Sequence, residues 1–228
     1  FRKVGFLKKI ILGIKISYKE QKSPRGLPDA FLIGEKFIGN DNVALILGDN
    51  FFYGQNLTKK LSESTKLKKG AKVFLHPVKN PNLYGVATIN KNKKILKIIE
   101  KPKKLISNLA ITGLYFFDNK VIKFSKSLKF SKRNELEITD LLNIYRKKGQ
   151  LKADFIGRGG AWLDTGNMKD YYNASNFIST LEERQGLKIG CLEEISLRNK
   201  WIKIDDLKNC IKFYGNCEYS KYLKELKP

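Results

Sequence analysis

The sequence predicts an α/β fold with a mixed, mostly parallel central sheet and helices on both faces. Apolar runs of strand length recur along the chain, and segments with helical spacing of apolar residues lie between them. The 228 residues are 42% hydrophobic and 11% aromatic, which suits a substantial core and argues against disorder. No apolar run approaches the roughly 18 residues that a membrane span requires.

The first half of the chain contains most of the predicted strands. The pattern of residues 1–10 favours a surface helix over a basic helix lying on a membrane. Turn residues Pro24 and Gly26 precede a helix that accommodates Pro28 in its first turn. Apolar runs predict strands at 14–18, 43–47, 72–77, 84–89, 95–100 and 110–117, and a polar segment lies at 56–69.

The second half is predicted to be mainly helical. Thr139 as N-cap and Gly149 as terminator predict a helix at 139–148, and residues 151–157 predict a strand. The apolar spacing at 168–185 predicts a helix that ends at Gly186. We expect residues 1–228 to form a single domain, with about 186–228 as a C-terminal helical segment packed on it.

Charge and rare residues restrict the function classes. The net charge of +23 is compatible with nucleic acid or anionic lipid, but the lysines are scattered and arginines are few, which favours a compositional bias. Three cysteines without a C-x-x-C pair indicate neither a disulfide framework nor a zinc site. The only histidine, His76, lies in a predicted strand and is interpreted as structural.

Two aspartates follow apolar segments at positions where an α/β sheet binds ligands. Asp49 follows the run VALILG, and Asp164 follows AWL before a Thr-Gly turn. Ligands of open α/β sheets bind beyond the carboxyl ends of strands. Paired carboxylates suit Mg²⁺, which keeps its other positions for water and phosphate oxygens. Each aspartate taken alone is more typical of a turn or a helix cap than of a metal site.

Seven motifs together resemble one enzyme family. They occur in the order LGDNFFYG, YGVATI, EKP, TGLYFFD, ELEITD, WLDTGN and LEERQGLKIGCLEEI. In this order and spacing they resemble glucose-1-phosphate thymidylyltransferases over about residues 11–203. The resemblance implies a Rossmann-like nucleotide-diphospho-sugar transferase fold. It also implies a cytoplasmic, Mg²⁺-dependent enzyme that makes dTDP-glucose from dTTP and glucose 1-phosphate, the first step toward dTDP-rhamnose-type sugars of the cell envelope.

The resemblance also implies roles for individual residues. Asp49 and Asp164 would hold Mg²⁺, and Lys101 and Arg133 would contact the sugar phosphate as catalytic cations. Sugar hydroxyls would contact Glu100, Tyr115 and the backbone at Gly85. Gln21 would contact the thymine base through its side chain, and Gly26 would contact it through the main chain. Trp162 would form a wall of the site.

Several features depart from the family pattern. The glycine-rich loop G-G-x-G-T-R-L, which cradles the triphosphate in this family, does not occur in the 228 residues. We therefore expect a fragment that lacks the first strands, leaves an apolar sheet edge exposed and is inactive alone. Arg25, Pro28 and Asp29 stand where the family commonly has an acidic residue, Ala and Gln, and Asn134 stands where a glycine is common.

Three alternatives remain open at this stage. A sister sugar nucleotidyltransferase would use UTP or CTP instead of dTTP. A basic nucleic-acid-binding module belongs to another class, and it gives no reason for Asp49 and Asp164 to follow apolar runs. A degenerate gene product is the third. The family resemblance further implies a homotetramer, with neither nucleic acid nor membrane as a partner.

Overall fold

The computed structural model describes residues 12–226 and confirms the α/β class. The chain divides into two compact units, and the larger one is Lys19–Tyr171. The described part of the smaller unit comprises residues 12–18 and 172–226. No helix in residues 12–226 is long and apolar enough to cross a membrane.

The larger unit contains eight strands, in groups separated by helices, within the described residues. The strands are β1 Val43–Ile46, β2 Asn50–Tyr53, β3 Ala71–Pro77, β4 Gly85–Ile89, β5 Ile95–Glu100, β6 Leu109–Phe117, β7 Leu151–Phe155 and β8 Ala161–Asp164. The helices of this part are α1 Asp29–Ile33, α2 Glu35–Ile38, α3 Leu57–Thr65, α4 Lys120–Lys126 and α5 Ile138–Lys147. They are followed by α6 Met168–Gln185, α7 Leu192–Arg198, α8 Ile204–Tyr214 and α9 Glu218–Glu225.

The central sheet is mixed, but its neighbouring strands are not mostly parallel. Its order is β5-β4-β6-β3-β7, and β1 also pairs with β6. Strand β6 is antiparallel to β1, β3 and β4, and in the described residues only the β3/β7 ladder is parallel. The expectation of mostly parallel pairing is therefore corrected. Strands β1, β3, β4 and β7 do run in one direction, but β6 lies between them and runs in the other.

Two apolar clusters cover the two faces of this sheet. On one face, Val73 and Phe117 pack with residues of α1, α4 and α5, including Phe31, Val121 and Leu141. On the other face, a cluster that includes Phe74, Phe116 and Trp162 packs against Leu61 of α3. The alternation of side chains along β3 and β6 sends successive residues to opposite faces. Helices on both faces, as predicted, follow from these two clusters.

Some local predictions are wrong. Residues 14–18 form no strand, because their alternating pattern has no neighbouring strand to pair with in the described residues. The polar segment 56–69 contains helix α3, whose buried side is narrow. Glu137, not Thr139, is the N-cap of α5. The predicted helix at 1–10 lies outside the described residues.

Strand β1 is less buried than its composition predicts. The side chains of Val43 and Leu45 are partly buried, whereas Ala44 is exposed and Ile46 is 60% exposed. Within residues 12–226, β1 pairs with β6 along one edge only. The expected exposure of an apolar sheet edge is therefore present at β1.

The smaller unit has its own core. Cys191, Leu207, Cys210 and Leu223 are buried together. The buried carboxylate of Glu193 accepts hydrogen bonds from the hydroxyls of Tyr214 at 2.7 Å and Tyr219 at 2.6 Å, so its charge has partners. Among the described residues after 186, helices α7, α8 and α9 form. The prediction that they pack on a single domain stays a prediction.

Candidate active site

The two aspartates lie side by side although 115 positions separate them in the sequence. Strands β2 and β8 form an antiparallel pair in which Asn50 faces Asp164, and the Thr165 N–H donates to the Asp49 carbonyl at 2.8 Å. A Cβ placed on Gly166 would lie 3.1 Å from Asp164 Oδ1 and 3.8 Å from Asp49 Oδ2. Both carboxylates therefore border the same small space beside the Thr-Gly turn.

The side-chain amide of Asn50 hydrogen-bonds to the carboxylate of Asp49 and orients it. The sequence analysis did not identify Asn50 as a site residue. Its Oδ1 accepts from Trp162 Nε1 at 2.6 Å and from the Gly113 N–H at 3.0 Å. Both partners are donors, so the amide orientation is fixed, and Nδ2 donates to Asp49 Oδ1 at 2.8 Å. Gly113 is required at this point because a Cβ there would lie 2.5 Å from Asn50 Oδ1. The LGDN motif contains the residue, but nothing local indicates its partners.

A cavity of about 230 Å³ opens beside these residues. Asn50 and Asp164 line one part of it, and its apolar wall includes Leu27 and Ile111. Six predicted site residues also line it, namely Gly85, Glu100, Lys101, Tyr115, Arg133 and Trp162. The structure therefore brings together most of the residues that the resemblance implies. Their roles toward a ligand stay predictions.

Glu100 and Lys101 end strand β5 at the mouth of this cavity. Gly85 is the partner of Glu100 in the β4/β5 ladder, and a Cβ on Gly85 would lie 2.7 Å from Thr139 Cγ2 and 3.2 Å from Glu100 Oε2. Only glycine permits this close approach. Lys101 has a φ of +41°, which is energetically costly for a residue other than glycine. Its backbone N–H donates to Tyr84 O at 3.0 Å. Its ammonium makes no ion pair within the described residues.

Arg133 is held by three carboxylates. Its Nε and Nη2 donate to the two oxygens of the buried Glu137 at 3.1 and 2.8 Å, and Nη2 lies 3.2 Å from Glu135 and 3.8 Å from Glu100. Ser131 also donates to Glu137, at 2.7 Å. This bidentate contact orients the guanidinium. Nη1 makes no hydrogen bond among residues 12–226 and is the part of the group left for an anion.

The residue beside Arg133 explains one departure from the family pattern. Asn134 has a φ of +60°, in the left-handed region. Asparagine tolerates this conformation better than most side chains, although glycine adopts it more readily. The Asn-for-Gly replacement therefore preserves the turn that presents Arg133.

Tyr115 and Trp162 form part of the buried wall. Tyr115 stacks on Phe117 with ring centroids 6.2 Å apart, and burial raises the pKa of its hydroxyl. Trp162 contacts the ring of Tyr84 edge-on at 5.0 Å, and the ring of His76 at 6.4 Å. His76 does not line the cavity, and burial lowers its pKa, so the ring is neutral at pH 7. Its Nδ1 is buried and has no hydrogen-bond partner in residues 12–226, which differs from a fully satisfied structural histidine.

The residues predicted to contact the base, Gln21 and Gly26, lie in a loop that precedes α1. Gly26 has a φ of +97°, and a Cβ on it would lie 2.1 Å from Leu136 O. The Leu136 N–H donates to Arg25 O at 2.8 Å, so this loop is bound to the segment that carries Arg133 and Glu137. The exposed Gln21 donates from Nε2 to Gly26 O at 3.2 Å and to Asp29 Oδ2 at 2.9 Å. Leu27 of the same loop lines the cavity, whereas Gln21 lies outside the residues that line it.

The carboxylates of the site are partly withdrawn from water. Burial raises the pKa of Asp164, and the neighbouring charges of Asp49 and Asp170 raise it further. Burial also raises the pKa of Glu100, with a contribution from Glu137, and the cations Arg133 and Lys101 oppose that shift. A positive charge close to such a carboxylate stabilises its ionised form, so a cation bound beside Asp164 would be favourable.

A family model for nucleotidyl transferases matches residues 3–180. The chain belongs to the nucleotidyl transferase family. It is 47% identical to a glucose-1-phosphate thymidylyltransferase of Neisseria meningitidis over 214 residues, which is 94% of this chain and 74% of that protein. The same-named enzyme of Mycolicibacterium smegmatis is 45% identical with the same coverage. The chain thus spans about three quarters of the length of these relatives, and the resemblance predicted from the motifs is confirmed.

Solved structures of family members confirm the fold. A Bacillus anthracis protein described as a glucose-1-phosphate thymidylyltransferase, crystallised with sucrose, has a TM-score of 0.68 and is 37% identical over 80% of this chain and 70% of its own. A UDP-glucose pyrophosphorylase in complex with UDP-glucose has a TM-score of 0.64 at 29% identity, with 73% and 66% covered. This nucleotidyltransferase therefore shares its fold with enzymes named for two different nucleotides.

Proposed function

We propose that this nucleotidyltransferase transfers a thymidylyl group from dTTP to α-D-glucose 1-phosphate, releasing pyrophosphate. The observation that supports the proposal best is the convergence of Asp49 and Asp164 on one space beside a cavity lined by Glu100, Lys101 and Arg133. The relatives that cover 94% of the chain carry the name of this activity.

Asp49 and Asp164 fit a divalent cation. Two hard carboxylates face one space, and the pKa of Asp164 is raised by burial and, to a smaller extent, by the charges of Asp49 and Asp170, which a cation would offset. No group of three or more possible metal ligands occurs in residues 12–226, which suits an ion that takes most of its ligands from water and phosphate. When bound there, Mg²⁺ would neutralise charge on the nucleotide phosphates.

The chain's own residues position the second substrate. In the proposed reaction a phosphate oxygen of glucose 1-phosphate attacks the α-phosphorus of dTTP in line, and the bond to pyrophosphate breaks. The attacking oxygen is already anionic, so no general base is required. Lys101 and Nη1 of Arg133 would hold the sugar phosphate, and Glu100 would accept hydrogen bonds from sugar hydroxyls. Catalysis then depends on positioning and on electrostatic stabilisation.

The proposal also includes how the thymine base is recognised and how the subunits assemble. Gln21 and the main chain at Gly26 would contact thymine, while Tyr115, Trp162 and the Gly85 backbone would enclose the sugar. We further propose Mg²⁺ as the ion, a cytoplasmic enzyme and a homotetramer, as the family resemblance implies. A UTP-dependent reaction is the second candidate, since the fold is shared with a UDP-glucose pyrophosphorylase.

Pyrophosphate release from the full-length polypeptide tests the proposal. The assay uses glucose 1-phosphate and Mg²⁺ with dTTP, UTP or CTP, and the highest kcat/KM is expected with dTTP. Asp49→Asn should reduce turnover by at least about a hundredfold, because a metal ligand is lost, with an unchanged melting temperature. The control Asp41→Asn removes an exposed carboxylate that precedes β1 and does not line the cavity, and it should retain turnover. Indifference to dTTP, or an active Asp49→Asn variant, would contradict the proposal.

The 228-residue chain is assayed beside the full-length polypeptide. Because the glycine-rich loop of the family does not occur in it, we expect no turnover from this chain alone. Turnover at the full-length rate would show that the loop is not needed.

A further inference from the structure

Asp29 is a carboxylate whose position the family pattern does not predict. It stands where a glutamine is common, it is the first residue of α1, and it is 5% exposed. Gln21 Nε2 donates to its Oδ2 at 2.9 Å, and Arg25 Nε lies 3.9 Å from its Oδ1. A buried carboxylate that contacts an exposed amide is positioned to control that amide.

The contacts of Gln21 leave its amide with one orientation. A primary amide has two N–H donors on its nitrogen and two acceptor sites on its oxygen. The two donors face two acceptors, Asp29 Oδ2 and Gly26 O. Turning the amide over would place Oε1 against these same acceptors, with no proton between them. Gln21 therefore has only Oε1 left for a ligand, and it contacts that ligand solely as an acceptor.

Arg25 supports this arrangement from the other side. Its guanidinium lies over the ring of Phe130 at 5.3 Å and beside Asp29 at 3.9 Å. A guanidinium has donors and no acceptor, so Arg25 offers the amide of Gln21 no alternative acceptor beside Asp29. The two departures at 25 and 29 thus lie side by side, and Asp29 is the one that contacts Gln21.

We infer that Asp29 is a positioning residue that makes Gln21 an acceptor-only contact and so selects pyrimidine bases with a protonated N3. Thymine and uracil carry a hydrogen on N3, whereas N3 of cytosine is an unprotonated acceptor. Oε1 of Gln21 accepts a hydrogen bond from the N3–H of thymine or uracil, and it is repelled by the unprotonated N3 of cytosine. The selection separates thymine and uracil from cytosine and does not separate the two from each other. This inference rests on the proposed function, which places the base at Gln21.

Substitution at Asp29 tests the inference in the full-length polypeptide. Asp29→Asn keeps the shape but adds a donor, so the Gln21 amide can turn over. We expect the ratio of kcat/KM for dTTP to that for dCTP to fall about tenfold, the equivalent of one hydrogen bond. The KM for dTTP should rise, while the KM for glucose 1-phosphate should stay constant. The ratio is measured within one preparation, so a partly unfolded sample does not alter it.

A double-mutant cycle separates positioning from a general structural role. Gln21→Met removes the acceptor with little change of size and should lower the ratio by itself. Asp29→Asn should then have no further effect on the ratio in the Gln21→Met background, whereas independent effects would add. Glu35→Gln is the matched control, since it removes a carboxylate that pairs with Lys126 and touches neither residue.

The outcomes distinguish this inference from the proposed function. If the unmodified polypeptide releases no pyrophosphate with dTTP, the proposed function fails. If it does release pyrophosphate with dTTP, the proposed function stands. The inference is then wrong if Asp29→Asn leaves the ratio of kcat/KM for dTTP to that for dCTP unchanged. It is also wrong if the effects of Asp29→Asn and Gln21→Met on that ratio add.

Discussion

At the residue scale, the candidate site concentrates carboxylates that folding has withdrawn from water. Glu100, Glu137 and Asp164 all line the cavity, and two of them have a raised pKa because they are buried near other carboxylates. Such groups oppose folding while they await a ligand. Sites that bind charged substrates commonly store this kind of strain, which is released when an ion or substrate binds.

Glu100→Gln should therefore stabilise the free protein and weaken substrate binding. A carboxyl whose pKa is raised on folding is costly when ionised, so the variant should have the higher melting temperature at pH 7. The difference should grow as the pH rises from 4.5 toward the raised pKa of Glu100, and it should be complete above that raised pKa. It should vanish below 4.5, the ordinary pKa of glutamate, where both side chains are neutral. The KM for glucose 1-phosphate should rise about tenfold with the lost charge-assisted hydrogen bond.

Thermal melts at a series of pH values and steady-state kinetics measure these two effects. Glu63→Gln, on the exposed side of α3, controls for the loss of one negative charge. A lower melting temperature for Glu100→Gln at pH 7 would show that Arg133 and Lys101 outweigh the burial of Glu100.

At the element scale, short connections carry the site. The loop before α1 is bound to the segment before α5 through Gly26 and Leu136, and the β2/β8 pair brings the two aspartates together. At Gly26, the absence of a side chain lets two backbone segments come into contact. The central sheet then serves as the base on which they are mounted.

Gly26→Ala should destabilise the larger unit more than an ordinary left-handed glycine does. Its added Cβ meets Leu136 O at 2.1 Å in addition to the unfavourable φ of +97°. We expect a loss of about 2–4 kcal/mol in the free energy of unfolding, measured by urea denaturation. The control is Gly149→Ala after α5, where φ is +65° and no atom lies within 4 Å of the new Cβ, so about 1 kcal/mol is expected. Equal losses would mean that the loop moves aside without cost.

At the scale of the whole molecule, the chain carries a large surplus of positive charge, and the proposed substrates are anions. The net charge is +23, but the cations nearest the cavity are few, and Arg133 is matched by three carboxylates. The general field raises the local concentration of any polyanion without selecting one. Selection therefore has to come from the oriented groups in the cavity.

Nucleic acid binding should accordingly be weak and non-specific. At 0.15 M salt, a 20-base-pair duplex should bind with a Kd no tighter than about 10⁻⁶ M, with affinity falling steeply as salt is raised and no dependence on base sequence. Fluorescence anisotropy measures this, and duplex at the same salt should not compete with dTTP. Tight, sequence-dependent binding would instead support the nucleic-acid-binding alternative.

Apolar periodicity and the motifs are local properties of the chain, and they were enough to predict the α/β class, most strands, helix α6 and seven of the residues that line the cavity. The way in which these pieces meet follows only from the folded structure. The central position of β6 made most pairs antiparallel, the single partner of β1 left Ile46 exposed, and the β2/β8 pair joined Asp49 to Asp164 through Asn50. These outcomes depend on contacts between residues far apart in the chain, and no local spacing encodes such contacts.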